Sequence, residues 1–242
     1  MTGAEHQPLA TFKDLCLDAV DVEQAARFWA PTLGLRIRRS GANVWLAGTS
    51  ESQAIWINEV PEAKTVKNRV HLDVHTASLE ELADRGARLV RPATPEENWT
   101  VFTDPDGQEF CGFVRNPPSE QVPDYRLYEV VVDCADGETG PLARWWASVL
   151  GGEPERDGTD WALTKTSGLP FEYLVFGVVP EPKTVKNRVH WDVWAADPQL
   201  LVDAGATLLR PRGGDIGWHV LADPAGNEFC AFVPSPGQDA TD

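Results

Sequence analysis

The sequence predicts an α+β protein assembled from four β-α-β-β-β modules, two in each half of the chain. Three observations carry this expectation. First, "PEAKTVKNRVH" (61–71) and "PEPKTVKNRVH" (180–190) differ at one letter, Ala63 against Pro182. Second, the same offset of 119 residues joins "DPDGQEFCGFV" (104–114) to "DPAGNEFCAFV" (223–233), and Trp99 to Trp218. Self-similarity at a fixed period marks a duplicated architecture. Third, within each half, stretches of strand alternation flank stretches of helical spacing, twice over.

The elements follow in order. Residues 13–20 read as a strand. Val22, Ala25, Ala26, Phe28, Trp29 and Leu33 recur at helical spacing, and Gly34 supplies the stop, so a helix is expected over 22–33. Two strands follow, near 43–47 and 53–59. The second module opens with a strand over 69–75. A helix over 78–86 has Ser78 as N-cap and Glu81 three residues on, a capping-box pattern. Strands are expected near 88–91, 99–103 and 108–114. "DPDG" joins the last two, with Pro second and Gly fourth in a turn.

The second half repeats this order. "DLCLDAVDVEQAARFW" (14–29) faces "EVVVDCADGETGPLARWW" (129–146), with an insertion around 137–141. "RNPPSEQVPD" (115–124) is Pro-rich and polar, as a linker should be. This places one domain over 1–118 and a second over 119–242. The tail "PSPGQDATD" reads as frayed.

Bulk properties narrow the function. The chain has 242 residues, 42% hydrophobic and 24% charged, with a formal net charge of −16. An acidic chain without Lys/Arg clusters repels phosphate backbones, which argues against nucleic acid and against anionic membrane surfaces. No apolar run approaches the ~20 residues of a membrane span. The opening "MTGAEHQPLA" has neither the basic nor the apolar part of a signal peptide. Four cysteines without a CxxC pair suit a cytoplasmic protein with reduced thiols. Ten tryptophans either fill the core or line a pocket for a flat or apolar ligand.

Alternation singles out candidate site residues, because i and i+2 on a strand share a face. Val70, Leu72 and Val74 lie opposite Arg69, His71, Asp73 and His75. Val189, Trp191 and Val193 lie opposite Arg188, His190, Asp192 and Trp194. If a helix covers the apolar face, the polar face lines a concavity. On the last strands, Glu109 shares a face with Cys111 and Phe113, and Glu228 with Cys230 and Phe232. A carboxylate in such company needs a partner: a salt bridge to Arg69 or Arg188, or a metal. The histidines read either as structural or as ligands, and Asp73 and Asp192 as groups that orient them. "KTVKN" is either a solvated connector or a basic lip for an anionic substrate. The cysteines read as core or cup-lining packing.

The "DAVDVEQAARFWAPTLG" and "DCADGETGPLARWWASVLGG" openings, the "RVHLDV" and "RVHWDV" strands and the "DPDGQEF" and "DPAGNEF" hairpins cover nearly the whole chain. Together they resemble the vicinal oxygen chelate superfamily, which includes glyoxalase I, bleomycin resistance proteins and extradiol dioxygenases. The resemblance implies two tandem glyoxalase-like domains. Each would be a cupped mixed sheet with helices on its outer face and a divalent metal in the cup. Carried over by position, the metal ligands are Asp14, His71 and Glu109 in the first half, and Glu129, His190 and Glu228 in the second. Asp14 stands where the family usually has His, Gln or Glu. The fourth ligand position is not clearly filled; Trp56 and Asn58 lie near it in one half, Val175 and Gly177 in the other.

One histidine and two carboxylates per half depart from the two-His-one-carboxylate set of iron oxygenases, which weakens ring cleavage. They suit Mg²⁺, Mn²⁺, Zn²⁺ or Ni²⁺, and the sequence does not choose among these or iron. The expected activity is isomerase- or lyase-like, through a metal-held enolate of a small, partly apolar oxygenated molecule. Glu109 or Glu228 could instead serve as a base. Glu129 favours the second half, where Trp194, His219, Arg188 and Asp192 would bind substrate. The rival reading is a non-catalytic protein that sequesters an aromatic drug or metabolite. Either a monomer or a homodimer is compatible with the sequence.

Overall fold

The computed structural model describes residues 7–115 and 122–235. The proposed domain boundary at 118/119, most of the linker and most of the tail lie outside them. The first module comprises β1 (Thr11–Ala19), α1 (Val22–Leu33), β2 (Arg36–Ser40), β3 (Asn43–Ala47) and β4 (Ile55–Glu59). The second comprises β5 (Val70–Thr76), α2 (Leu79–Asp84), β6 (Arg88–Arg91), β7 (Thr100–Thr103) and β8 (Glu109–Val114). The third comprises β9 (Leu127–Cys134), α3 (Thr139–Leu150), β10 (Glu153–Asp157), β11 (Asp160–Thr164) and β12 (Tyr173–Val178). The fourth comprises β13 (Val189–Trp194), α4 (Gln199–Asp203), β14 (Thr207–Arg210), β15 (His219–Ala222) and β16 (Glu228–Phe232).

Local chemistry explains the boundaries. Asp21 caps α1 by accepting from the Gln24 amide, and Gly34 ends it at φ 72°, a conformation a Cβ disfavours. Ser78 accepts from the Glu81 amide at α2, as expected. The Glu81 carboxylate reaches one residue further back, to the Ala77 amide, instead of closing the capping box on Ser78. The insertion near 137–141 is in part the first turn of α3, which starts at Thr139. The short strand β2 was not expected. Four of its five residues are exposed and three are arginines, so it carries little apolar alternation to read.

The strands form two eight-stranded mixed sheets. The order β14-β15-β16-β13-β1-β4-β3-β2 joins the fourth module to the first, and we call it the terminal sheet. The order β10-β11-β12-β9-β5-β8-β7-β6 joins the third module to the second and makes the central sheet. The four modules and the α+β class are as expected, but the pairing is not: each half lends one module to each sheet. The central pairs are antiparallel, β1 with β13 and β5 with β9. Twin modules present near-equivalent first strands, so strand patterns alone do not say which two share an edge.

The helices lie between the core faces of the two sheets. α1 belongs to the terminal sheet, yet Phe28 and Trp29 pack on Phe110 of the central sheet, ring centroids 5.6 and 5.2 Å away. α3 belongs to the central sheet, and Trp146 packs on Trp191 and Phe229 of the terminal sheet at 4.8 and 5.1 Å. Both indole N–H groups donate to hairpin aspartates, Trp29 to Asp104 at 2.9 Å and Trp146 to Asp223 at 3.1 Å. Those aspartates also accept turn amides, Asp104 from Asp106 and Gln108, Asp223 from Ala225 and Asn227. The "DPDG" and "DPAG" turns therefore fasten each sheet to the helix of the other. Truncating a buried tryptophan such as Trp29 costs about 3–5 kcal/mol.

The twin connectors carry the chain between sheets and lie against each other. Arg69 donates to the Pro182 carbonyl (3.1 Å) and Arg188 to the Glu62 carbonyl (2.9 Å). Lys67 pairs with Asp133 of β9, and Lys186 with Asp18 of β1 at 2.6 Å. Each connector thus meets its own twin in a matching environment, which accounts for their near-identity.

Candidate functional site

Alternation turns the polar letters of the first and last strands away from the helices. In the terminal sheet Asp14 and Cys16 stand beside Asp192 and His190 in register, and Asp192 beside Cys230. In the central sheet Glu129 pairs with Asp73, and Asp73 with Cys111. Each cup also receives an extra side chain, because β1 and β9 are bulged at corresponding points, between Phe12 and Asp14 and at Tyr128. A bulge re-aims a residue that strict alternation would turn away. Lys13 enters the terminal cup and Tyr128 the central one.

Lys13 Nζ lies 2.5 Å from Asp14 and 3.8 Å from Asp192, and 4.4 Å above the Phe232 ring. Trp194 meets Phe232 edge-on, with Lys13 near both rings. Trp56 donates to Asp14 at 2.9 Å. Burial, and then the Asp14 carboxylate, push the Asp192 carboxyl well up. Burial pulls His190 down to about 4, so its imidazole is neutral at physiological pH. Asp192 shares a hydrogen bond with Asp14 and accepts one from Cys230, while His190 Nδ1 is buried without a hydrogen-bond partner.

The central cup is arranged differently. His71 Nδ1 lies 2.9 Å from Asp73 Oδ1. Burial, followed by the charge of Asp73 and a hydrogen bond to it, raises Glu129 well above the usual carboxylate range. Glu129 therefore keeps a proton and donates it to Asp73. Around this chain stand aromatic rings: Tyr128 against His75 (4.4 Å), Phe113 (5.0 Å) and Tyr173 (5.7 Å). Arg115 donates to His75 at 3.0 Å and closes one side.

Several expectations change. Glu129 shares a cup with His71, not with His190 and Glu228; Asp14 shares one with His190, not with His71 and Glu109. Glu109 and Glu228 are held by the connectors rather than by a cup. Glu109 pairs with Lys64 at 2.7 Å and accepts the Asn68 amide at 3.1 Å. Glu228 does the same with Lys183 at 2.8 Å and the Asn187 amide at 3.1 Å. With both oxygens engaged, neither is presented as a ligand or a base. The partner is a connector lysine, not Arg69 or Arg188. His219 lies opposite Ala231 in register, on the side of Leu221 and Phe229, away from the cup. Arg188 is a connector pin, donating to Asp106 as well as Glu62.

The cysteine two residues after each glutamate is the last-strand group that reaches the cup. Cys230 Sγ lies 3.7 Å from His190 Nε2, and Cys111 is hydrogen-bonded to Asp73. Sharing a face with Glu109 and Glu228 was the signal for these thiols. Nothing in the alternation marked Lys13 or Tyr128.

A cavity of about 530 Å³ lies between the two connectors, outside both cups. Lys67, Arg69, Lys186 and Arg188 line it, and each is already engaged with a carboxylate or carbonyl.

A family model described as "Glyoxalase-like domain" matches residues 14–113 and again 129–232. The chain belongs to the glyoxalase-like domain family. Solved structures similar to this glyoxalase-like chain include glyoxalase I from Zea mays, at 15% identity and a TM-score of 0.61, covering 92% of each chain. A putative dioxygenase from Bacillus subtilis matches at 13% identity and 0.62, covering 95% of this chain and 87% of that one. The cppA protein from Streptococcus pneumoniae matches at 11% and 0.50, covering 93% and 100%. At these identities the likeness is one of fold, consistent with the vicinal oxygen chelate superfamily. No curated protein sequence matches the chain. Among the described residues, no helix is long and apolar enough to cross a membrane.

The superfamily implies a divalent metal, and each cup of this glyoxalase-like chain offers three candidate donors within 4.8 Å of one another: Cys16, His190 and Asp192; His71, Asp73 and Cys111. In the central cup these groups satisfy each other, and no fully buried atom of His71, Asp73 or Glu129 lacks a partner. In the terminal cup Asp192 is likewise hydrogen-bonded to Asp14 and to Cys230, and Lys13 supplies a positive charge beside both aspartates.

Proposed function

We propose that the protein is an enzyme of the vicinal-oxygen-chelate type, and that its central cup transfers protons in an isomerase- or lyase-like reaction on a small, partly apolar oxygenated molecule. The observation that carries this reading is the chain Glu129–Asp73–His71 at the floor of an aromatic-walled cup. A buried carboxyl that holds its proton is a hydrogen-bond donor to an oxygen on which negative charge develops. Asp73, accepting from His71 Nδ1, leaves Nε2 as the basic nitrogen. His71 would take a proton from a carbon next to a carbonyl while Glu129 supports the enolate oxygen. Return of that proton to the neighbouring carbon gives isomerisation; departure of a β-substituent gives elimination.

The test is solvent-deuterium incorporation next to the carbonyl, followed by NMR, across a panel of 2-oxo acids, α-hydroxyketones and aryl ketones. At least one member should exchange with wild-type protein and lose exchange in Glu129→Gln and His71→Ala. A panel without any exchange, together with stoichiometric quenching of tryptophan fluorescence by an aryl ketone, would make the protein a binding module instead. The aromatic walls favour that second reading over ring cleavage.

A further inference from the structure

We infer that the chain holds an oxyanion site outside both cups, between α1 and the α2–β6 turn, where Arg27, Arg85 and Arg88 take a phosphate group, free or carried by a small molecule. This inference is independent of the reaction proposed for the central cup. A cavity of about 400 Å³ lies there, lined by Gln24, Phe28, Pro105 and the three arginines. No carboxylate lines it. Arg27 comes from α1, Arg85 from the C-terminal end of α2 and Arg88 from β6. In a chain of net charge −16, three guanidiniums around one cavity are a local reversal of the field.

The arginines have unused donors. Arg85 reaches Glu81 through Nη2, but that carboxylate also accepts from Arg126 at 2.8 Å, and Arg85 Nη1 is buried without a hydrogen-bond partner. A buried donor without an acceptor is costly unless something completes it. Arg27 has only Glu23, at 3.8 Å, and Arg39 already holds both oxygens of Glu23, at 2.8 and 3.0 Å. The Arg88 guanidinium makes no hydrogen bond or ion pair among the described residues. A guanidinium is a planar fork that matches the oxygens of a phosphate in pairs. Forks from three separate elements suit a tetrahedral dianion, whose oxygens face several sides, better than a planar carboxylate.

The second half closes the equivalent place with its own side chain. Trp145 stands where Phe28 does, and its indole N–H donates to the Ala204 carbonyl at 2.8 Å. That nitrogen lies 3.7 Å from where a Cβ on Gly205 would stand. At Gly86, the matching glycine, only Pro105 Cγ comes near, at 3.5 Å. Ala204 and Thr207 replace Arg85 and Arg88. Arg144, which matches Arg27, stacks over Trp161 at 5.1 Å, whereas Val44 stands in place of that ring in the first half. In both halves the junction joins a helix of one sheet to a helix–strand turn of the other. One junction is closed by an indole–carbonyl bond. Phe28 has no N–H to make that bond, and arginines surround the other junction, where an anion would tie α1 to the central sheet.

The experiment titrates the full chain with inorganic phosphate by calorimetry, at an ionic strength held constant with chloride. The expected result is about one equivalent of phosphate. At a hundredfold excess over its Kd, phosphate should raise the melting temperature by roughly 5–10 °C. Arg27→Gln and Arg88→Gln should each weaken binding at least tenfold, the weight of a charge-assisted hydrogen bond. Arg144→Gln, at the twin position, should stay within twofold. Phe28→Trp, which installs the indole of the closed junction, should abolish binding. If that variant fails to fold, the two exposed arginine variants still decide the matter. Acetate should bind at least tenfold more weakly than phosphate. Glycerol 2-phosphate separates the two sources: binding tighter than that of phosphate assigns the site to a phosphate monoester, weaker binding to the free ion. A wild-type protein that phosphate stabilises no more than chloride does, or saturable binding untouched by both arginine variants, would overturn the assignment. Deuterium exchange in the central cup should stay within twofold in Arg88→Gln, which keeps the two proposals separate.

Discussion

The two cups descend from the same module written four times, and they differ in what completes their polar floors. In the central cup, Glu129, Asp73 and His71 complete one another, and the bulge residue is Tyr128, which adds to an aromatic wall. In the terminal cup, the shorter Asp14 stands where Glu129 does, a second thiol replaces a valine, and the bulge residue is a lysine. Asp192 there is pushed up like Glu129 and is hydrogen-bonded to Asp14. The terminal acid pair has a lysine beside it where the central pair has a tyrosine. Duplication thus supplied two similar concavities, and a few substitutions on two strands divided their chemistry.

The sharpest way to break this comparison is to make the same change in both cups. Glu129→Gln should lower deuterium exchange by roughly 10²–10⁴-fold, the usual weight of a positioned acid or base. Asp14→Asn should leave exchange within about twofold, as measured on the best substrate of the panel. Equal losses would mean that the cups work as one. Next in size are the connector glutamates. Glu228→Gln should lower stability by about 1–3 kcal/mol in urea unfolding, since it strands the Lys183 ammonium and weakens the Asn187 bond. Deuterium exchange should stay within twofold; a larger loss would restore Glu228 as a base.

The hairpin aspartates should not distinguish the halves. Burial, opposed by hydrogen bonds from Gln108 and Trp29, raises Asp104 to about 6, and burial raises Asp223 in the same direction. The folded state then binds a proton that the unfolded chain, at the ordinary carboxylate value, has released. The contribution of Asp104 to stability is accordingly full below about pH 4 and is lost as pH rises to about 6, and Asp223 acts in the same direction. In urea unfolding at several pH values, Asp104→Asn should flatten part of that decline, and Asp223→Asn a similar part. Smallest of all, His219→Ala should change exchange by less than twofold, because its side chain lies on the helix side of β15.

Much of the fold was legible because its signals are local. The spacing of Ala25, Ala26, Trp29 and Leu33, the Ser78 cap, and the glycines of the hairpins act within a few residues of one another. The site was legible only in part. Glu129, His71 and Asp192 were candidates, and Asp73 was expected to orient an imidazole, as it does for His71. Grouping them failed, since register partners such as Asp73 and Glu129 come from different halves. Lys13 and Tyr128 were invisible because one extra residue in a strand reverses the alternation by which faces are read. Glu109 and Glu228 misled because their lysine partners sit in connectors that carry no periodic pattern.

By itself, the sequence determined the module, its fourfold repetition and the polar faces of its first and last strands. Helical and strand spacing, caps and turns are properties of neighbouring residues. Only the tertiary structure decided which modules share a sheet, and therefore which carboxylate meets which histidine. Strand edges of twin modules are nearly equivalent, and the choice between them rests on long-range packing: Trp29 on Phe110, Trp146 on Phe229, and two identical connectors bound to each other. That choice set Glu129 against Asp73 in one cup and Asp14 against Asp192 in the other.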